Sequence, residues 1–118
     1  MSQSKSPSTD VFQRWIDEVW SAGRVSDDLV ADDFVGHWPD RDVRGRDELT
    51  AIVRTTREMF DQLTFQIEIG PLRDGDFVVG RWTGTGRLET GETRFTGNDI
   101  LRLDGERIVE YWTGTSSA

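Results

Sequence analysis

The chain has 118 residues, 35% of them hydrophobic and 31% charged, and its formal net charge at pH 7 is −8. This length allows one domain with a single core, and the acidic balance excludes a broad surface for nucleic acids or anionic membranes, which need clustered Lys and Arg. Because the chain has one His and no Cys, it lacks the usual zinc ligand sets, disulfides and a thiolate nucleophile, and we expect no metal site.

Residues 1–7 are small and polar without a pattern, which predicts a disordered tail followed by a single domain over residues 8–118. No hydrophobic segment approaches the ~18 residues of a membrane-spanning helix, and the first residues contain no apolar signal core. The sequence therefore favours a soluble, cytoplasmic protein.

The first predicted helix begins after a cap at Ser8, Thr9 or Asp10 and ends at Gly23. A short second helix is predicted to follow a cap at Ser26. The apolar residues of the first helix recur at the spacing of one buried face and are Phe12, Trp15, Ile16, Val19 and Trp20.

The middle of the chain predicts one short strand and one long helix. The strand covers residues 34–38, and Pro39 and a charged loop over residues 40–44 end it. The helix covers residues 46–60, because its apolar residues lie on one stripe and most of its charged residues lie on the opposite side.

From residue 63 onward the apolar residues recur with a period of two, as in half-buried strands. Asp74-Gly75, Thr90-Gly91 and Asp104-Gly105 are turn signals. They separate predicted strands over residues 63–69, 77–87, 93–103 and 107–113. Helices followed by consecutive strands predict an α+β fold. In this fold a long antiparallel sheet curves around three N-terminal helices and encloses a tapered apolar pocket.

Large aromatic residues are candidates for the wall of this pocket, which suits a flat, hydrophobic small molecule. Core packing alone accounts for most of them. The candidates are Trp15, Phe34, Trp38, Phe60, Phe65, Trp82 and Trp112.

Asp99 is the main candidate for chemistry because its predicted strand aims it at an apolar face. Side chains alternate along a strand, so Asp99 shares its face with Leu101 and Leu103, while Asn98 and Ile100 point the other way. Desolvation on that face would raise the pKa of the carboxyl group toward neutrality, as an acid or base needs. The alternative is a structural carboxylate, hydrated or bonded to backbone amides at a strand end.

His37 is a second candidate, because its ordinary pKa suits proton transfer near neutral pH. The alternation of the strand opposes this role. If Trp38 faces the pocket, His37 faces away from it unless a bulge intervenes. The alternative is a histidine at the surface or in an interface.

Glu110 is a third candidate, because it is predicted to share an apolar face with Ile108 and Trp112. Two carboxylates on one curved sheet can divide the roles of acid and base. The alternative is an ion pair with Arg102 or Arg81 on a neighbouring strand.

Four segments, together with the order of the predicted elements, carry a family resemblance. They are ADDFVGHWPD at 31–40, VRGRDEL at 43–49, FVVGRWTGTG at 77–86 and FTGNDILRLDGERIVEYW at 95–112. The chain resembles the SnoaL-like polyketide cyclase branch of the nuclear transport factor 2 and ketosteroid isomerase superfamily over nearly all of its length after Pro7. The resemblance implies a cone-shaped α+β barrel without a cofactor. It also implies a homodimer through the outer face of the sheet, where Arg81, Thr83, Arg94 or His37 would meet the second copy.

The resemblance places Asp99 at the general acid/base of an aldol cyclisation, and Trp15 and Trp38 at the border of the pocket. Some positions differ from the relatives. Trp38 stands where the isomerases have their catalytic Asp, and Trp15 stands near the isomerase tyrosine, which argues against a faithful steroid isomerase. Gly97 stands where the Arg-x-Asp arrangement of the related epoxide hydrolases has its Arg.

The leading hypothesis is a cofactor-independent cyclase or isomerase acting on a hydrophobic cyclic or polyketide-like substrate. Asp99 would move a proton at a carbon next to a carbonyl, and the indole N–H of Trp15 or Trp38 would donate to the developing oxyanion. One alternative is a non-catalytic ligand-binding or dimerisation module in which Asp99 is structural. Another is an epoxide hydrolase in which Asp99 and a second acid or Asn hold a water molecule. A cavity of a few hundred Å³ would favour the enzyme over the module.

Overall fold

The structure of the protein is a computed structural model that describes residues 9–117, with side chains up to residue 116. The tail predicted over residues 1–7 lies outside the described residues. The described part of the chain forms two helices and one six-stranded sheet. Neither of these helices is long and apolar enough to cross a membrane.

Helix α1 spans Asp10–Arg14 and continues directly into a π-helical segment over Trp15–Ser21. Gly23, with a φ of +75°, ends it as predicted. At this end the Arg57 guanidinium donates a hydrogen bond of 3.0 Å to the Trp20 carbonyl. The predicted apolar face is confirmed, since all of its residues are buried: Phe12, Trp15, Ile16, Val19 and Trp20.

Helix α2 spans Gly45–Met59, close to the predicted range. Leu49 and Val53 are buried on its inner side, and its charged residues are mostly exposed. The helix packs mainly against the first strand of the chain and then against the second, which lie together at one end of the sheet.

The strands are β1 Val30–Trp38, β2 Arg41–Arg44, β3 Asp61–Asp74, β4 Phe77–Leu88, β5 Gly91–Asp104 and β6 Arg107–Ser117. Their order across the sheet is β2-β1-β6-β5-β4-β3. Neighbours are antiparallel except β1 and β6, which are parallel and are separated in the chain by all the other strands and α2. The α+β fold with a curved sheet is confirmed, although it has two helices instead of three and one parallel pair of strands.

The predicted helix at Ser26 is wrong. Residues 27–29 form a turn, and β1 begins at Val30. The Ile108 amide donates a hydrogen bond of 2.8 Å to the Leu29 carbonyl, and Val30 pairs with Ile108. Leu29 and Val30 are both fully buried by this pairing, so the tertiary contact outweighs a local capping signal.

The predicted loop over residues 40–44 contains a strand instead. Strand β2 forms an antiparallel pair with β1, in which Val43 lies opposite Gly36. Val43 is buried between exposed charged neighbours, and this alternation is typical of a short edge strand. The alternation was not recognised in the sequence because Val43 is the single buried residue of this strand and its neighbours are charged.

Strand β3 continues through Gly70 and Pro71, where it was predicted to end. Its register with β4 shifts between Ile67 and Leu72. An irregularity of this kind bends a strand without ending it. Turns at residues 75–76, 89–90 and 105–106 connect the last four strands, at the predicted turn signals.

Candidate active site

Asp99 lies on the inner face of β5 and is only 2% exposed, as the alternation of its strand predicts. Three side chains donate to its carboxylate. The Trp15 indole N–H lies 3.3 Å from Oδ2. The Tyr111 hydroxyl lies 3.0 Å from Oδ1, and the Thr113 hydroxyl lies 2.8 Å from the same oxygen. The π-helical segment that follows α1 and strand β6 therefore hold the acid from two sides.

Burial raises the pKa of Asp99 from 3.8 to about 6, because desolvation disfavours the charged carboxylate. Thr113, Trp82, Tyr111 and Trp15 oppose this change and lower the pKa. All four are neutral, so they supply dipoles without an opposite charge, and the effect of burial prevails. The result is a carboxyl group that changes protonation near neutral pH.

Trp82 holds a second notable group, a buried donor without an acceptor. Its indole N–H is near enough to Asp99 to lower the pKa of that acid, but it does not meet hydrogen-bond geometry with any acceptor in residues 9–117. The side chain is 7% exposed. This buried N–H therefore stabilises the charged form of Asp99, although the pair falls short of full hydrogen-bond geometry.

A cavity of about 300 Å³ opens beside this cluster. Its wall is mainly aromatic and also includes the exposed residues Thr115 and Ser116. The lining residues are Ile16, Trp20, Trp38, Thr56, Phe65, Trp82, Phe95, Tyr111, Thr115 and Ser116. Asp99 is not among them. It lies behind the wall.

Tyr111 joins the buried acid to the cavity, because its ring lines the cavity and its hydroxyl binds Asp99. Burial raises the pKa of Tyr111 well above its usual value, and the negative charge of Asp99 raises it further. The phenol is therefore a neutral donor. Tyr111 was not among the sequence candidates. The signal that could have found it is that it is the single Tyr of the chain.

The structure divides the predicted wall residues into four groups, the last of which is Trp112. Trp38 and Trp82 line the cavity, as does Phe65. Trp15 and Phe34 are fully buried in the core behind it. Phe60 stacks on Phe95 with ring centroids 5.4 Å apart, outside the lining.

Trp112 lies on the opposite, outer face of the sheet, where its ring stacks on His37 at a centroid distance of 5.4 Å. The prediction that Trp112 lies on the pocket wall is therefore wrong. The reason is a bulge in β6: Leu103 pairs with Ile108, whereas Arg102 pairs with Glu110. The extra residue reverses the alternation after Ile108 and turns Tyr111 inward instead.

The same bulge turns Glu110 away from the apolar side. Its carboxylate accepts a hydrogen bond of 3.0 Å from the Arg102 guanidinium, which is the ion pair that the sequence offered as an alternative to a catalytic role. The same carboxylate is hydrogen-bonded to His37. Hydrogen bonds from His37 and Arg102 hold the pKa of Glu110 below its usual value. Glu110 is thus separated from Asp99 by the sheet.

His37 faces away from the cavity while Trp38 lines it, as strand alternation requires. One ring nitrogen of His37 lies 2.7 Å from Glu110, and the other lies 3.0 Å from Asp42. These two carboxylates, Glu110 first, raise the pKa of His37. In the described residues 9–117, no group of three or more His, Asp or Glu side chains is arranged to hold a metal ion.

Solved structures with the same fold are similar to the described chain. IdmH, a candidate polyketide cyclase from Streptomyces antibioticus, is 23% identical, with a TM-score of 0.79 over 92% of this chain and 91% of that one. A candidate SnoaL-like polyketide cyclase from a Jannaschia species is 18% identical, with a TM-score of 0.81 over 98% and 92% of the two chains. A protein from Catenulispora acidiphila with a ketosteroid isomerase-like fold is 18% identical, with a TM-score of 0.76 over 92% and 86%.

These likenesses establish the ketosteroid isomerase-like fold, while the sequence itself establishes the family. No curated protein matches the chain significantly. The model of the SnoaL-like domain matches residues 12–111, which include Asp99, Tyr111 and all the cavity-lining residues up to Tyr111. The chain therefore belongs to the family of SnoaL-like domains.

Proposed function

We propose that this SnoaL-like domain is an enzyme that moves a proton at a carbon next to a carbonyl of a hydrophobic cyclic or polyketide-like substrate. One observation carries the proposal: an acid with a pKa of about 6 is buried behind an apolar cavity and bonded to a Tyr of the cavity wall. General acid–base catalysis is most efficient when the pKa of the catalytic group lies near the working pH. Asp99 meets that condition.

Tyr111 carries the proton between substrate and Asp99, since the acid does not reach the cavity itself. The phenol oxygen of Tyr111 accepts the proton from the substrate carbon while the phenol proton moves to Asp99 Oδ1. In net terms one proton moves from the substrate to Asp99 and one negative charge moves from Asp99 to the substrate. The neutral ketone becomes an enolate, and the carboxylate becomes a carboxylic acid. No redox partner enters this balance.

The enolate then has two outcomes. The proton returns at a different carbon, which is an isomerisation, or the enolate carbon attacks a second carbonyl of the same molecule, which is a cyclisation. A carbon flanked by two carbonyls loses its proton more readily than one beside a single carbonyl. A base as weak as Asp99 therefore suits substrates with several carbonyls, as polyketides have.

Proton exchange tests this function without knowledge of the natural substrate. The bicyclic ketone 1-tetralone would be incubated with the protein in D₂O, and loss of the C2 proton signals would be followed by NMR. We expect a catalysed rate that rises with pH through about 6 and then levels, since Asp99 must be ionised to act as the base. Asp99→Asn and Tyr111→Phe should each lower the rate by about 100-fold or more.

Trp112→Phe is the matched control, because Trp112 lies on the outer face of the sheet and contacts neither Asp99 nor the cavity. Its exchange rate should equal that of the unaltered protein. An Asp99→Asn protein with the original rate and pH profile would remove Asp99 from the mechanism.

A non-catalytic ligand-binding module is the second candidate, because Asp99 is bonded to three donors and lies behind the cavity wall. Binding of 1-tetralone without exchange would support it. The epoxide hydrolase needs a second acid or Asn beside Asp99. The side chains that donate to it in the described chain are Trp15, Tyr111 and Thr113, so no observation favours that function.

We also propose a homodimer through the outer face of the sheet. Directly paired residues of adjacent strands form a row of apolar side chains there, which we call the outer apolar row: Leu72, Val79, Ile100 and Trp112. Leu72 is 63% exposed and Ile100 is 40% exposed. A contiguous apolar patch on a soluble domain is typical of an interaction surface. Of the residues predicted for this interface, His37 extends the row beside Trp112.

A further inference from the structure

We propose that Trp38 is a specificity-determining residue, which limits the cavity to planar ligands of about two fused rings by separating it from a second hollow. We call that hollow the helix groove. It has a volume of about 570 Å³ and lies between α2 and the β1–β2 pair, where Val43, Ala51, Ile52 and Met59 are among its lining residues. The proposal rests on the proposed function in one respect, since it takes a hydrophobic cyclic compound to occupy the cavity.

The first support is that the cavity and the helix groove share part of their walls. Trp38 and Thr56 are the two residues of the described chain that line both. Thr56 belongs to α2, and its hydroxyl donates a hydrogen bond of 2.9 Å to the Ile52 carbonyl of the same helix. Trp38 is the larger of the two side chains and projects from the sheet, so its indole forms most of the partition.

The second support is the place of the indole on the sheet. The ring of Trp38 lies against Gly36, so close that a Cβ at Gly36 would come within 2.5 Å of Trp38 Cζ3. Gly36 pairs with Val43 of β2 on one side and with Tyr111 of β6 on the other. Val43 lines the helix groove and Tyr111 lines the cavity. The indole therefore lies on the strand that separates the two hollows.

The third support is that the indole is packed against the cavity wall. Its ring centroid lies 5.1 Å from that of Tyr111 and 6.4 Å from that of Trp20. Both of these residues line the cavity, and tilted or edge-on packing of aromatic rings at such distances is favourable. A ligand in the cavity therefore meets the Trp38 ring as a fixed end wall.

The volumes of the two hollows set the ligand class. A dry protein cavity of about 150 Å³ holds one benzene ring, and the volume of the cavity here is about 300 Å³, which matches two fused rings. A third ring directed at Trp38 would need the space of the indole. Without the indole, that ring would reach the helix groove and bury apolar surface against Val43, Ile52 and Met59.

Binding of two homologous ketones tests the proposal. They are 1-tetralone and its linear benzo-fused homologue, in which a third ring extends the aromatic end. Equilibrium dialysis gives both dissociation constants, and the quantity compared is the affinity for the three-ring ketone relative to that for 1-tetralone. We expect the unaltered protein to bind the three-ring ketone no more tightly than 1-tetralone. In Trp38→Ala this relative affinity should rise about tenfold or more, because the third ring becomes buried.

Trp112→Ala is the matched control, since it makes the same replacement on the outer face of the sheet, and it should leave the relative affinity unaltered. Ala51 is exposed on α2 and lines the helix groove but not the cavity. Adding Ala51→Trp to Trp38→Ala would fill the groove, so it should abolish the gain. A relative affinity that does not rise in Trp38→Ala overturns the proposal, as does a gain that persists with Ala51→Trp or failure of 1-tetralone to bind the unaltered protein.

The unaltered protein keeps the proposal testable if Trp38→Ala does not fold. Intermolecular NOEs from 1-tetralone should reach the methyl groups of Ile16, in the cavity lining, and not those of Val43, in the helix groove. NOEs to Val43, or a three-ring ketone that binds about tenfold more tightly than 1-tetralone, would contradict the partition. Binding with the expected relative affinities but without proton exchange would refute the proposed function alone, whereas exchange of 1-tetralone with no gain in Trp38→Ala would refute this inference alone.

Discussion

The hydroxyl of Tyr111 donates a hydrogen bond of 3.0 Å to Asp99 Oδ1, while the ring of Tyr111 forms part of the cavity wall. This pair gives a buried acid access to a bound molecule without exposing the acid to solvent. Burial keeps the pKa of Asp99 at about 6, and a single neutral side chain transmits its protonation state to the cavity. The predictions below follow from this arrangement and from the faces of the sheet that surround it.

Tyr111→Phe should raise the pKa of Asp99 above about 6, because the Tyr111 hydrogen bond favours the charged carboxylate. Thr113→Val should raise the pKa further, since the Thr113 hydrogen bond lowers it more. Titration of the ¹³C carboxyl signal of Asp99 measures both changes. An unaltered or lowered midpoint in either variant would show that these hydroxyls do not stabilise the carboxylate.

Asp99 should make the protein more stable at acidic pH than at neutral pH. Its pKa in the folded protein, about 6, is above the 3.8 of the unfolded chain, so the folded state holds the proton more tightly. The stabilisation is complete below 3.8 and is lost as the pH rises through about 6. This pKa difference corresponds to about 3 kcal/mol.

Asp99→Asn should remove that dependence. Urea unfolding of both proteins between pH 4 and pH 7.5 gives the free energy of unfolding, and the difference between them isolates Asp99 from groups such as His37. We expect the unaltered protein to lose stability relative to the variant as the pH rises. Parallel curves would contradict the burial of an ionisable Asp99.

Gly97→Ala should destabilise the protein by about 1–3 kcal/mol, the usual cost of overpacking a core. Its Cβ would come within 2.2 Å of Trp82 Cζ2, in a rigid part of the wall. Gly114→Ala is the control, because a Cβ at Gly114 would have no heavy atom within 4 Å. Chemical denaturation measures both. Equal stabilities would mean that the indole moves aside freely.

The titration of His37 should show a midpoint above 6.5, since Glu110 and then Asp42 favour its charged form. This network stabilises the fold below pH 6.5, and the contribution disappears as the pH rises through the higher pKa of the folded state. Because His37 is the single His of the chain, the Hε1 proton of its ring gives one NMR signal. Glu110→Gln should lower the midpoint more than Asp42→Asn does, and the reverse order would contradict the assigned contacts.

Ile100→Glu should convert the dimer into a monomer, because it places a charge in the middle of the outer apolar row. Sedimentation or light scattering of the purified protein measures the mass. Gln66→Glu is the control, since Gln66 is exposed on the same face of β3 and is not part of the row. A monomeric unaltered protein, or an unaltered mass in Ile100→Glu, would refute the proposed interface.

Local pattern in the sequence was enough for the elements whose contacts are local. The spacing of Phe12 to Trp20 predicts the buried face of α1 and of the π-helical segment that continues it, and the stripe over residues 46–60 predicts α2. Turn chemistry at Asp74-Gly75 and Asp104-Gly105 predicts the reversals between the last strands. The alternation of a regular strand was also sufficient for Asp99, because β5 has no bulge before Arg102.

Long-range pairing decided what local pattern could not. A turn and the start of β1 replaced the predicted helix at Ser26 because Val30 pairs with Ile108, far away in the chain. One extra residue between Ile108 and Glu110 reversed the faces of the end of β6. It brought Tyr111 to the cavity and moved Glu110 and Trp112 to the outer face, and no feature of the sequence marks a bulge at this point.

The residue composition, the sequence periodicities and the resemblance carried by four segments determined the fold class, the family and the buried acid. The tertiary structure alone decided which donors face that acid, which aromatic residues enclose the cavity, and that the indole N–H of Trp82 is left without an acceptor. Periodicity reports the face on which a side chain lies. The distances between side chains of different strands and helices depend on how the sheet curves and where its register shifts, which only the assembled chain determines.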